Sequence, residues 1–215
     1  MDIEEYRKQF IDELRFNAEH EGTEPETQFI EKYLSDLEEI GELNDPIPMS
    51  VEMRGSRNRL LAFDAYAYDE ADGALILIAS DFTNERDSTP TLTNSRIEDI
   101  YTHMLNFLDE CVQGNISKYC DDSDPALIIA NEFRKKIGKG LLSTEILRFK
   151  FFILSNATLS KQVKNLSKPE FWGRPVELNV WTLERFYQTF ASNSSEIIEI
   201  DTADFGCDGI QCLKA

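Results

Sequence analysis

Two apolar runs separated by an acidic reversal dominate the chain: Arg59 to Tyr68, then Asp69-Glu-Ala-Asp-Gly, then Ala74 to Phe82. Both runs lean towards β structure, and Gly73 after Asp72 accepts the positive φ that a tight reversal needs, so the segment predicts a β-hairpin. Ala74 to Ala79 is apolar at every position. Such a strand needs cover on both faces, which places it in the middle of a sheet with helices above and below.

Elsewhere the apolar positions recur at helical spacing. Ile3, Tyr6, Phe10, Leu14, Phe16 and Ala18 predict a helix from Asp2 to about His20, with acids near its amino end, where the helix dipole favours them. Thr23, Pro25 and Glu26 form a start signal for a second helix, whose stripe Phe29, Ile30, Tyr33, Leu34, Leu37 and Ile40 is stopped by Gly41. Asn44-Asp-Pro-Ile-Pro is an extended connector to a short strand at Met49 to Met53. Thr83 to Thr93 reads as a loop, and Asn94 as the cap of a helix running through Ile97, Ile100, Tyr101, Met104, Leu105, Leu108 and Val112. Ser123-Asp-Pro opens a further helix through Ile129 and Phe133 to Ile137, closed by Gly138. Glu145 to Leu154 predicts a buried strand, Asn156 to Leu166 a short helix, Pro175 to Trp181 a strand, Thr182 to Phe190 a helix, and Glu196 to Asp201 an edge strand. The fold expected is a single α/β domain over residues 1–215, a three-layer mixed β-sheet flanked by helices with the hairpin central. The segment Asp204 to Ala215 breaks off without a final element, as in the amino-terminal part of a longer protein.

Composition narrows the function. With 40 acidic and 22 basic residues the net charge is −18, which repels a phosphate backbone at long range and confines any nucleic-acid contact to a local basic groove. The basic clusters are Arg134, Lys135, Lys136 and Lys139, and Lys161, Lys164 and Lys168; solvated surface is the favoured reading of each, and they are where a nucleic-acid groove is sought, the first cluster being the named candidate. No apolar stretch approaches a membrane span, and the acidic amino terminus is the reverse of a targeting signal, so no membrane contact and a cytoplasmic location are expected. Without a secretory signal, Asn-X-Ser/Thr at Asn115, Asn156, Asn165 and Asn193 are chance matches. Cys111, Cys120, Cys207 and Cys212 form no CxxC pair and are read as free thiols, and Cys111 and Cys120 with His103 match no common zinc spacing. Tyr66, Tyr68, Phe82, Phe171 and Trp172 are read as core or core-flanking aromatics in preference to base-stacking platforms. Arg185 does not face Glu184 on a helix and is expected to find a salt-bridge partner elsewhere.

Several motifs together resemble one family. Phe63-Asp-Ala-Tyr with Asp69-Glu, Leu75-Ile-Leu-Ile-Ala-Ser-Asp-Phe, Phe152-Ile-Leu-Ser-Asn-Ala-Thr-Leu-Ser, Gly173-Arg-Pro-Val, Val180-Trp-Thr-Leu-Glu-Arg-Phe-Tyr and Gly209-Ile-Gln-Cys-Leu resemble the amino-terminal region of abortive infection phage resistance (AIPR) proteins, from Glu26 onward. The resemblance implies a restriction-endonuclease-like core, a carboxyl-terminal AIPR domain of the same chain as partner, and a role in bacterial phage defence.

A nuclease of the PD-(D/E)xK type holds Mg²⁺ with two carboxylates on adjacent strands, and a lysine two residues after the second steadies the attacking water. Asp64 fits the first position and Asp81 the second, as catalytic and metal-binding residues. Thr83 stands where the lysine belongs. A hairpin symmetric about Ala71 puts Asp64 opposite Ile78 and sends Asp81 to the other face, whereas a one-residue shift brings the acids together. Glu31 or Glu13 from a helix, or Lys150, are candidates to complete a migrated site. The expected function is therefore a nuclease-like but degenerate domain, acting as scaffold or interaction module with no cofactor; the alternative is an active Mg²⁺-dependent DNA or RNA nuclease. In the degenerate case Asp64 is expected to be held by neighbouring donors with no lysine beside it.

Overall fold

The computed structural model describes residues 2–138, 145–161 and 170–191. Two helices, α1 (Ile3–Glu21) and α2 (Pro25–Glu39), precede an antiparallel meander of β1 (Ile47–Arg54), β2 (Leu60–Asp69) and β3 (Ala74–Asp81). A short β4 (Thr91–Leu92) leads into α3 (Asn94–Gln113) and α4 (Pro125–Ile137). The chain then returns through β5 (Arg148–Ser155), β6 (Thr158–Leu159), β7 (Glu170–Phe171), β8 (Arg174–Trp181) and α5 (Leu183–Phe186), which widens into a π turn over Tyr187–Ala191. The main sheet runs β1-β2-β3-β5-β8-β7, with β3, β5 and β8 parallel and β7 antiparallel to β8.

The predicted central strand is central. Leu75 and Leu77 of β3 point into one cluster with Phe149, Phe151 and Ile153 of β5, sealed by Met104, Phe107 and Leu108 of α3 and Phe133 of α4. Ile76 and Ile78 point into the opposite cluster with Phe152 and Leu154, under α1, α2 and α5. A strand apolar on both faces thus demands two helical layers, and the expected mixed sheet flanked by helices follows. Asp2 caps α1 by accepting the Glu5 N–H at 2.8 Å, and Asp124 caps α4 through the Ala126 N–H at 2.8 Å. The cap of α3 is Thr93, whose hydroxyl accepts the Arg96 N–H at 3.3 Å, one residue before the expected Asn94.

Other expectations need correction. Within the short helix expected from Asn156, Thr158 and Leu159 instead pair in parallel with Thr91 and Leu92, placing a strand inside the expected Thr83–Thr93 loop; the rest of that helix from residue 162 lies outside the described residues. So do the Glu196–Asp201 strand, Cys207, Cys212, Asn165, Asn193, Lys139, Lys164 and Lys168. β7 was not anticipated, since two residues are too short to show a period. Arg185 finds no salt bridge among the described residues: its guanidinium lies over the Trp181 ring, 3.6 Å from the centroid, and donates to the Val180 carbonyl at 3.2 Å, while Glu184 accepts the Leu159 N–H. Cys111 and Cys120 are free thiols, the former buried. No helix among the described residues is long and apolar enough to cross a membrane.

Leu77 is fully buried in the central strand, whereas Ile128 on α4 is 62% exposed. Leu77→Ala is expected to lower the unfolding free energy by about 3 kcal/mol, and Ile128→Ala by less than about 0.5 kcal/mol, in urea titrations. Equal effects would mean that the two-sided core is misplaced.

Candidate functional site

Because both faces of the sheet are apolar and covered, its titratable groups collect at the ends of the strands. The β2–β3 ladder runs from Asp69↔Ala74 to Ala65↔Ile78. Ile78 therefore lies opposite Ala65, not Asp64: the turn comprises the four residues Glu70 to Gly73 and is centred half a residue later than a hairpin symmetric about Ala71. Gly73 there has φ +59°, and a Cβ on it would meet Leu147 Cγ at 2.9 Å, so the turn needs glycine for two reasons.

At Asp64 the regular alternation slips. Leu61, Phe63, Tyr66 and Tyr68 all turn to the α3 side, while Ala65 and Ala67 turn to the α1 side. Across from Asp64, β1 spends two residues, Met49 and Ser50, between Pro48↔Ala65 and Val51↔Phe63. The irregularity is bulge-like and stands where pairing with β3 stops. Instead of a strand carbonyl, Asp64 Oδ2 accepts the Ser80 N–H, at 2.7 Å. The opening is a cleft of about 200 Å³ whose polar lining includes Glu26, Glu52, Asp64, Ser80, Arg96 and His103. Ser80 Oγ donates to Glu26 Oε1 at 3.3 Å, which brings the first turn of α2 to the cleft. Burial raises the Asp64 pKa above its ordinary value against the lowering effect of the Ser80 hydrogen bonds, and the charge of Glu52 adds to the rise. Burial likewise pushes the His103 imidazole down, opposed by Asp99. A carboxyl whose proton affinity is raised inside a cleft can exchange protons nearer neutrality than a surface acid.

Asp81 is differently placed. Its Oδ1 accepts from Arg96 Nε at 2.8 Å and its Oδ2 from Ser155 Oγ at 3.0 Å. Asp64 and Asp81 thus stand at the same end of the hairpin but answer to separate donors. Lys150 does not join them. Its Cα pairs with Ile76, five residues before Asp81, a separation of about 16 Å along the strand, and its ammonium bonds Asp69 at 3.0 Å and Asp72 at 2.9 Å beside the hairpin turn. Of the helix acids, Glu31 accepts from Gln28, and it is Glu26 that reaches the cleft. Among the described residues no group of three or more His, Cys, Asp or Glu side chains could hold a metal ion.

The residues matched by family comparison take in most of this. A model of the abortive infection phage resistance protein N-terminal domain matches residues 29–188. The chain belongs to this family. Asp64, Asp81, Arg96, His103 and Ser155 fall inside the match; Glu26 precedes it, and the Gly209-Ile-Gln-Cys-Leu motif lies beyond both the match and the described residues. No curated protein matches the chain, and no solved structure does.

Of the sought basic groove, Arg134 and Lys135 are exposed in the last turn of α4, where cations complement the helix dipole. Lys136 bonds Glu145 at 3.1 Å and lies 4.6 Å from the Tyr68 ring centroid. Among the aromatics, Tyr66 is buried, Tyr68, Phe82 and Phe171 pack against the core, and Trp172 is 49% exposed. Glu26, Glu52, Arg96 and His103 of the AIPR cleft were not read from sequence. They come from three elements, α2, β1 and α3; only Arg96 and His103, seven residues apart on one face of α3, are linked by spacing along the chain.

The raised carboxyl carries a sign. The folded state holds the Asp64 proton to higher pH than the unfolded chain, whose carboxyl titrates near 3.8, so ionised Asp64 weakens the fold once the pH exceeds the folded value. Asp64→Asn can still accept the Ser80 N–H and is expected to stabilise the protein at about pH 7, the gain vanishing towards about pH 3 in paired urea titrations. A loss of stability of equal size at both pH values would show that no desolvated charge resides there.

Proposed function

We propose that the chain is a nuclease-like but catalytically degenerate amino-terminal domain of an AIPR phage-defence protein, acting in the cytoplasm as scaffold or interaction module for a carboxyl-terminal AIPR domain. The restriction-endonuclease-like part of this reading is supported by an antiparallel hairpin that feeds parallel strands, with Asp64 and Asp81 at one end of it and helices on both faces. The degenerate part rests on one observation above all: both carboxylate oxygens of Asp81 are engaged by Arg96 and Ser155. An anion that neutralises a guanidinium would have to surrender that bond to coordinate Mg²⁺. Thr83 in place of the motif lysine, and Lys150 tied to the hairpin turn, support the same reading. The residues do not fit the PD-(D/E)xK donor set.

The test is incubation of the protein with single- and double-stranded DNA and RNA in Mg²⁺ and in Mn²⁺. No cleavage above that of an Asp64→Ala variant is expected. Cleavage that chelator abolishes and Asp64→Ala or Asp81→Ala removes would overturn the proposal in favour of an active metal-dependent nuclease using those two acids.

A further inference from the structure

The β1–β2 turn is built at some cost in backbone conformation. Arg57 and Asn58 lie in the left-handed region with φ of 56° and 59°, and so does Trp172 in the β7–β8 turn, with φ 50° beside Gly173 at 71°. Two successive positive φ values make the second turn one that asparagine and glycine normally fill. For arginine and tryptophan the left-handed region is unfavourable, and such residues persist where the surroundings enforce them, most often at functional sites.

The enforcement is visible. Fully buried Glu110 of α3 receives the Ser56 N–H at 3.1 Å and Arg59 Nη2 at 2.9 Å on one oxygen, and Asn115 Nδ2 at 2.8 Å on the other. Burial opposes its charge, but the donors from Ser56, Asn115 and Arg59 prevail and hold its pKa at about 2. Ser56 Oγ and the Tyr119 hydroxyl share a further hydrogen bond of 2.6 Å. Asp109 then joins the two turns, accepting from Arg59 at 3.2 Å on Oδ2 and from the Trp172 indole N–H at 3.4 Å on Oδ1. Beside the first turn lies a polar cavity of about 290 Å³ lined by Ser56, Arg57, Arg59, Asp109 and Gln113. It shares no residue with the Asp64 cleft.

Two of the side chains presented there are open to solvent. Trp172 is half exposed, and the exposed Arg57 makes no hydrogen bond or ion pair among the described residues. Lys118 reaches the same network through Asn115 Oδ1, and Arg54 through the Asn58 carbonyl. Arg54, Arg59 and Lys118 thus join a bonded network whose acids are Asp109 and Glu110, and Arg57 lines the cavity beside it, a local concentration of cations in a chain of net charge −18. Asp109 bonds the exposed indole and lines the same cavity as the Arg57 guanidinium, a pair of groups that matches a planar base attached to a phosphate.

We propose that this surface binds a nucleotide unit, the base stacking on Trp172 and the phosphate meeting Arg57. The site stands whether or not the Asp64 cleft cleaves, and binding is to be measured in EDTA so that metal chemistry plays no part. The probes are fluorescein-labelled oligothymidylate of about 15 nucleotides and unlabelled AMP, at about 50 mM salt, where phosphate contacts are strong. Because Trp181 is 2% exposed, tryptophan quenching reports on Trp172. Oligothymidylate is expected to quench the emission. By anisotropy, Trp172→Gly should bind about tenfold more weakly, and Arg57→Gly should flatten the log–log salt dependence by about 0.7.

Both substitutions place glycine in a left-handed position, so thermal unfolding midpoints should hold or rise while binding falls, which separates loss of the site from loss of the fold. Quenching by AMP that also depends on Arg57 would identify free nucleotide, not a strand, as the source of the same unit. Absence of quenching by both probes, or binding unchanged in both glycine variants, would overturn the proposal.

Discussion

Covering β3 on both faces is the constraint from which the rest of the architecture follows. Leu75 and Leu77 on one side and Ile76 and Ile78 on the other cannot be hidden by one helical layer, so α1, α2 and α5 take one face and α3 and α4 the other. Once both faces are sealed, polar chemistry is displaced to the strand ends. The two ends become chemically distinct. At the hairpin turn Lys150 and Arg148 meet Asp69 and Asp72 in ion pairs, whereas at the other end Asp64 stands in a cleft with Glu26, Glu52, Arg96 and His103, with no lysine among the described residues that line it.

The open end is also held from behind. Arg7, 1% exposed on α1, donates to the carbonyls of Asn156, Glu85 and Thr83. The Asn156 side chain both accepts the Thr83 N–H at 3.0 Å and donates to the Thr83 carbonyl at 2.9 Å. These bonds fasten the segment after β3 to the end of β5, and so fix Ser155 against Asp81. A carboxylate positioned this firmly, with both oxygens satisfied, is better suited to maintaining structure than to exchanging metal ions.

Much of the fold was legible because its elements are long and strongly periodic. The stripe of Phe29, Tyr33, Leu34 and Leu37 and the unbroken run of Ala74 to Ala79 each admit one reading. What escaped was short or relational. β4, β6 and β7 have two residues each, too few for any period, and Thr158 was absorbed into an expected helix. The register of the hairpin turned on a half-residue difference in the turn centre, which apolar alternation alone does not resolve, and the slip at Asp64 broke the alternation itself. The site was half legible: Asp64 and Asp81 were marked, but Glu26 of α2, Glu52 of β1 and the Arg96 and His103 face of α3 are brought together only in three dimensions. Arg185 went to the Trp181 ring because an aromatic face competes for a guanidinium as a carboxylate does.

The central claim is that Asp64 and Asp81 are two separately satisfied carboxylates and not one metal site. Carboxyl-carbon NMR of the two residues, titrated with pH and then with Mg²⁺, tests it most directly. The account predicts that Asp64 titrates above 3.8 and that Mg²⁺ at about millimolar concentration leaves both signals in place, as expected for groups bonded to Ser80, Arg96 and Ser155. Joint, saturable movement of both signals on adding Mg²⁺ would contradict it.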